Sequence, residues 1–162
     1  MAEIKIRNAK DLEKVLKLVA KNALEDTGEK LVEDVKGSVD KVVYEPYEPS
    51  YERTYELRDK ISSKDAIENG NDIEVEISHD IDEMSYNTNK YQHGSKYWEP
   101  EDYREYTPYT VHEGLSGTLF GDKGYWRTPR RYMTHAKEKI ESEKKHIKIM
   151  KQKLNEKGIK TE

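Results

Sequence analysis

Residues 65–79 read Asp65-Ala-Ile67-Glu68-Asn69-Gly70-Asn71-Asp72-Ile73-Glu74-Val75-Glu76-Ile77-Ser-His79. Ile73, Val75 and Ile77 alternate with Glu74, Glu76 and Ser78, which is the two-residue period of a half-buried strand with an acidic outer face. Asn-Gly just before this run is a strong turn signal. The stretch therefore predicts a β-hairpin centred near Gly70, followed by a strand over 72–79.

Glu3 to Arg7 alternates, with Ile4 and Ile6 on one side, and predicts a short strand. From Asp11 to about Val43 the period is helical: Leu12, Val15, Leu16, Val19 and Ala23 lead into Leu31, Val35, Val39 and Val42. Asn8 or Asp11 supplies the N-cap. Such a rod reaches about 50 Å. Gly28 and Gly37 each weaken it, and Thr27-Gly28 marks a candidate break. A core helix lying on a sheet is the plain reading.

Tyr44 to Arg53 carries Pro46 and Pro49 and is expected to be extended. Asp80 to Pro108 lacks periodicity and predicts a long loop, with room for a hairpin of its own. Of the 12 tyrosines, 11 lie between Tyr44 and Tyr125. Tyrosine gives large contact area at low entropy cost, so this region is expected to form a contact surface. Its candidate residues are Tyr44, Tyr47, Tyr51, Tyr91, Tyr97 and Trp98, with Tyr103, Tyr106 and Tyr109. Core filling in a chain poor in Leu and Phe is the competing reading.

Thr107 to Glu113 reads as another strand, ended by Gly114. A loop with Gly117, Gly121 and Gly124 follows. Thr128 is then expected to cap a single helix with Pro129 in its first position, running to about Asn155 and stopped by Gly158. Ile140, Ile147 and Leu154 step by seven and make a thin apolar seam. Glu141 stands at helix-pair spacing from Lys144 and Lys145. Arg130, Arg131, Ile147 and Met150 are the candidate contact residues of this arm.

The chain has 162 residues, 33% hydrophobic and 38% charged, with a mean hydropathy of −1.11. That suits one domain (1–162) with a small core, divided into strand and long helix (1–43), strands and Tyr-rich loops (44–127) and a basic C-terminal helix (128–162). Small cores are often completed by oligomerisation. Residues 128–162 carry +6 and the remainder −10, for a net charge of −4. An acidic body with a basic tail favours steering between like subunits or with a neighbouring part over nucleic acid. The tail's lysines still leave nucleic-acid contact as an alternative.

There is no cysteine, hence no disulfide or thiolate chemistry. No apolar run approaches the roughly 20 residues of a membrane span, and the N-terminus lacks a signal-peptide core. No membrane partner is expected. His79-Asp80-Ile81-Asp82 offers metal-ligand atom types without a second cluster at ligand spacing, and surface carboxylates beside a strand end account for it. The glycine pairs Gly114/Gly117 and Gly121/Gly124 lack the Lys-Ser/Thr of a phosphate loop. With no nucleophile motif present, the expectation is a non-enzymatic protein without metal or cofactor.

Taken in order, these pieces resemble the head–tail joining, or tail-completion, neck proteins of long-tailed siphophages. Glu3–Val43 is similar to that family's opening strand and long helix. Thr54-Tyr55-Glu56-Leu57-Arg58 resembles its Thr-Gly-x-Leu-Arg segment, with Tyr55 in place of the glycine. Tyr109-Thr-Val111-His-Glu113-Gly114 is similar to its Tyr-x-x-Val-Glu-x-Gly strand, and Pro129 to Tyr132 stands where Pro-Phe opens the last helix.

The resemblance implies an α+β fold: a small antiparallel sheet, a long N-terminal helix packed on it and a C-terminal helix. It implies a structural virion protein of the phage neck, assembled in the host cytoplasm. There it would be a ring subunit, expected to be hexameric, between head connector and tail. Connector or head-closure proteins and tail-terminator or tail-tube proteins would be its partners, with DNA passing through the lumen without specific binding. A tail-terminator or head-closure ring subunit is the alternative within that class.

Overall fold

A computed structural model describes residues 7–46, 54–70, 72–85, 104, 106–114 and 128–161. The fold is α+β, with a long N-terminal helix, two small two-stranded antiparallel sheets and C-terminal helices. The expected strand at Glu3–Arg7 lies almost wholly outside the described residues, as does most of the Tyr-rich stretch.

Helix α1 spans Ala9–Val39 and opens with a two-way cap. The Asp11 amide donates to the Asn8 side-chain oxygen at 3.0 Å, and the Arg7 amide donates to the Asp11 carboxylate at 3.1 Å. Both candidate caps are thus used, Asn8 as the cap and Asp11 as its return partner. The helix runs through Thr27-Gly28 without a break and ends in a π-helical turn over Asp40–Tyr44, closed by the Glu45 amide on the Asp40 carbonyl at 2.8 Å. Pro46 follows directly and stops it.

The strands are short: β1 (Ile61–Ser63), β2 (Ile67–Asn69), β3 (Asp72–Glu74) and β4 (Ile77–His79). β2 and β3 form the expected hairpin, with Ile67 opposite Glu74 and Asn69 opposite Asp72. Gly70 holds φ +66, which the two-residue turn requires and glycine supplies at least cost.

The single strand expected over 72–79 is instead two strands in two sheets, β3 with β2 and β4 with β1. The alternation survives the break, since Ile73, Val75 and Ile77 are each half-buried between exposed Glu74 and Glu76. Periodicity records which face is covered; it does not record which neighbour supplies the hydrogen bonds.

The remaining elements are helices: α2 (Glu56–Asp59), α3 (Tyr106–Glu113), α4 (Tyr132–Ser142) and α5 (Lys145–Glu156), with a 3₁₀ turn at Ile81–Glu83. Two expectations are corrected here. Thr107–Glu113 is helix rather than strand. Its buried residues, Pro108 and Val111, are three apart, and the Gly114 amide returns to the Thr110 carbonyl at 2.9 Å with Gly114 at φ +77. β-branched Thr107, Thr110 and Val111 suggested strand, and tertiary burial of one helical face prevailed.

The C-terminal arm is the second correction. Its first helix begins at Tyr132 rather than Pro129, and Lys144 at φ +51 divides it from the next. The seven-residue seam is interrupted there, so Ile147 is exposed while Ile140 and Leu154 are half-buried. Gly158 at φ +89 ends α5 as expected.

The chain divides into two compact units. One comprises residues 1–34, 62–78 and 138–162; the other comprises 35–61 and 79–137. In the first, Ala23, Leu31, Val32 and Ala66 are buried. Gly28 marks where the strands approach α1, because a Cβ there would meet Ser63 Oγ and lie 3.1 Å from Val75 Cγ2. The Ala66 amide donates to the Glu25 carboxylate at 3.1 Å, anchoring the hairpin root. In the second unit the buried set is larger: Val35, Val39, Val43, Leu57, Ile61, Met84, Val111, Tyr132 and Ala136.

Candidate subunit interface

Within the first unit the two ends of α1 differ. From Ala23 onwards the helix is buried along one side. Before it, Leu12, Leu16 and Leu18 are 44%, 46% and 50% exposed. The same apolar period therefore runs on into turns where Leu12, Leu16 and Leu18 are exposed, with Val15 and Val19 between them half-buried. The outer hairpin repeats the theme, with Ile67 62% exposed.

Helix α5 is held to α1 by charge. The Lys145 ammonium lies 2.6 Å from the carboxylate of Asp34, a buried residue, with Lys139 at 3.7 Å; Lys157 pairs with Asp26 at 2.9 Å. Lys145, expected to face Glu141 along a continuous helix, faces Asp34 because the turn at Lys144 ends that helix. Lys153 bonds Glu156 at 2.8 Å, and each shifts the other towards its charged form. Several lysines of the basic arm are thus matched by acids of the same chain.

In the second unit, Tyr132 is 1% exposed and gathers the neighbouring polar groups. Its hydroxyl donates to the Pro108 carbonyl at 3.3 Å and lies 3.4 Å from His79 Nε2. His79 Nε2 is 3.1 Å from the Leu57 carbonyl, which fits a donating Nε2–H. Both His79 and His112 meet the Tyr132 ring edge to face, at 5.8 and 5.4 Å. Burial pushes the Tyr132 phenol well above its ordinary range and pulls the His79 imidazole below its own, so His79 is neutral at pH 7. This is a packed, satisfied polar core. Among the described residues no three His, Asp or Glu side chains gather as a metal would require.

A second aromatic group surrounds Tyr55. This residue holds φ +58 and ψ 10, the left-handed conformation that glycine favours, at the position where the resembled pattern has glycine. Its carbonyl accepts the amides of Arg58 and Asp59, both at 3.0 Å. Its ring meets Tyr44 edge to face at 5.0 Å, and the Arg58 guanidinium sits 4.9 Å above it. Arg58 also pairs with Asp59 at 2.7 Å and Asp40 at 3.2 Å, so its guanidinium is held charged and the Asp59 carboxyl is drawn below its usual range.

The candidate residues fall into three groups. Tyr109 (68% exposed), Arg131 and Ile147 present surface. Tyr44, Arg130 and Met150 take part in internal packing. Burial raises the Tyr44 phenol to about 12; Arg130 Nη1 reaches the Val43 carbonyl at 3.5 Å; Met150 Sδ lies 3.6 Å from the Thr27 hydroxyl. Tyr47, Tyr51, Tyr91, Tyr97, Trp98, Tyr103 and the side chain of Tyr106 lie outside the described residues. Leu12, Leu16, Leu18 and Ile67 were missed as contact candidates. For Leu12 and Leu16 the signal was present in the apolar period of α1, but periodicity alone does not say which turns lack a cover.

The family model YomN matches residues 8–156. The chain belongs to the YomN family. YomN is a phage-derived family, so the phage association implied by the sequence resemblance holds at that level. No curated protein and no solved structure matches this YomN-family chain. No described helix is long and apolar enough to cross a membrane.

Proposed function

We propose that the protein is a structural subunit of the phage neck, joining the head connector to the tail as one copy in a ring. The observation that carries this reading is membership in a phage-derived family by a chain whose folded surface leaves apolar faces uncovered. Apolar side chains at Leu12, Leu16, Leu18 and Ile67 are what a subunit contributes to neighbours, and the small core is what oligomerisation completes. The left-handed Tyr55 supports the resemblance at one specific position. The helical 106–113 segment departs from it at another.

In this role the chain is non-enzymatic and needs no cofactor. Its partners are further copies of itself and the connector and tail proteins on either side, and DNA crosses the ring lumen without being read. Nucleic-acid binding by the C-terminal arm is the weaker reading, because Asp34, Asp26 and Glu156 occupy lysines that phosphate contact would use.

The test is genetic and visual. Removing this protein from the phage that encodes it should leave filled heads and finished tails unjoined in electron micrographs of the lysate. Intact virions at normal yield would overturn the proposal.

A further inference from the structure

We infer that the outward face of the β2–β3 hairpin and the apolar arc at the start of α1 are the two halves of one contact between successive copies of this chain. The inference uses the neck-subunit reading only for closure of the contact into a ring.

The hairpin half is acidic. Residues 65–76 carry Asp65, Glu68, Asp72, Glu74 and Glu76 and no lysine or arginine. The register sets Ile67 opposite Glu74 and Asn69 opposite Asp72, so these four share one face. All four are exposed, while Ile73 on the reverse is half-buried. An apolar side chain thus stands out among carboxylates, on a ribbon rooted by the Ala66–Glu25 bond.

The helix half has the opposite charge. At ~100° per residue, Leu12, Val15, Leu16, Leu18 and Val19 fall within one arc, which also holds Asp11; Leu12, Leu16 and Leu18 are exposed and Val15 and Val19 between them half-buried. Lys14 and Lys21 border it beside Leu18; past Leu16, at the other edge, Glu13 and Lys17 pair with each other at 3.3 Å, so the positive border is the Leu18 side. An apolar strip with lysines along its Leu18 edge matches an apolar residue edged by acids, in both shape class and sign.

The choice of a second copy follows from that match. The two patches differ, so pairing them is head-to-tail, the contact type that builds rings when the rotation closes. The chain's own hairpin leaves the leucines exposed, so the partner hairpin comes from outside. A lipid surface would accept the basic helix and be repelled by the acidic ribbon.

The test is sedimentation velocity of the full-length protein over rising concentration. Wild type should self-associate, more weakly at high salt. Lys14→Glu with Lys21→Glu, or Asp72→Lys with Glu74→Lys, should each weaken association about tenfold or more. Mixed in equal amounts, the two variants should associate again, because each then offers the charge the other lost. Ile67→Asn, uncharged and on an exposed site, should weaken association without altering the circular dichroism spectrum.

Variants that associate like wild type would overturn this contact and leave the neck reading standing. So would a mixture that stays monomeric while both variants are folded. A wild-type monomer that floats with anionic vesicles would overturn it in favour of lipid. Confirmed self-association together with intact virions lacking the protein would overturn the neck reading alone.

Discussion

Lys145 closes on Asp34 at 2.6 Å, so a residue just past the left-handed turn of the C-terminal arm neutralises a buried acid of α1. The pair ties α5 to the long helix at a point where α5 itself has no fully buried side chain. A charge-assisted bond to a mostly desolvated carboxylate is among the stronger polar contacts, and losing one partner costs more than the bond contributed.

Lys145→Met is therefore expected to lower unfolding stability by about 1–3 kcal/mol. Asp34→Asn with Lys145→Met should recover part of that loss, because no buried charge then remains unmatched. Urea denaturation checks both. A single variant as stable as wild type would remove the pair from the account of how α5 is held.

The two glycines of α1 should respond in opposite ways. A Cβ at Gly37 meets nothing within 4 Å. Gly37→Ala is expected to stabilise by about 0.5–1 kcal/mol through helix propensity alone. Gly28→Ala gains the same propensity but presses on Ser63 and Val75. It is expected to lose about 1–2 kcal/mol net, as overpacked sites do. Thermal melts of the two variants side by side decide it, and equal shifts would contradict the close approach of strands to Gly28.

Tyr55 inverts the usual ranking of glycine and alanine. A non-glycine residue in left-handed geometry costs ~1–2 kcal/mol, and here ring contacts with Tyr44 and Arg58 offset it. Tyr55→Gly loses the contacts and sheds the strain, whereas Tyr55→Ala loses the contacts and keeps the strain. The alanine variant is expected to be less stable than the glycine variant by about 1 kcal/mol. Equal stabilities in denaturant titrations would show that residue 55 does not hold φ > 0 in solution.

His79 should make stability depend on pH. Its folded-state pKa is lowered, chiefly by burial, so the unfolded chain takes up a proton more readily than the folded one. Stability from this group is present above the ordinary histidine value near 6.5 and is lost as pH falls through the lowered folded value. Wild type should accordingly lose more stability between pH 7 and pH 5 than His79→Gln, whose amide can still donate to the Leu57 carbonyl. Parallel pH profiles for the two proteins would contradict a buried, neutral His79. Tyr132→Phe, removing the hydroxyl bonded to Pro108, is expected to cost about 1–2 kcal/mol at pH 7.

What the sequence disclosed was local in character. The α1 period, the Asn8 and Asp11 caps, the Gly70 turn and the Gly158 stop each rest on residues whose preferences act within a few positions. The two strand readings that failed required knowledge of distant neighbours. Thr107–Glu113 has strand-forming residue types, yet becomes helix where Pro108 and Val111 find cover. The 72–79 alternation continues across a change of sheet that periodicity cannot register. Of the interface, the exposed leucines of α1 were visible as apolar residues but not as uncovered ones. Burial is decided by the rest of the fold, not by the period that creates the face.

The left-handed Lys144 has a consequence for how the tail carries its charge. A continuous helix from 129 to 155 would have set Lys137, Lys144, Lys148 and Lys151 along one rail, with a spacing fixed by a single axis. One residue at φ +51 converts that rail into two short segments with independent phases. A uniform polyanion such as duplex DNA rewards regular repetition, and this arm does not keep it. Lys145 and Lys157 instead each meet one particular acid, Asp34 and Asp26, more a key with uneven teeth than a track.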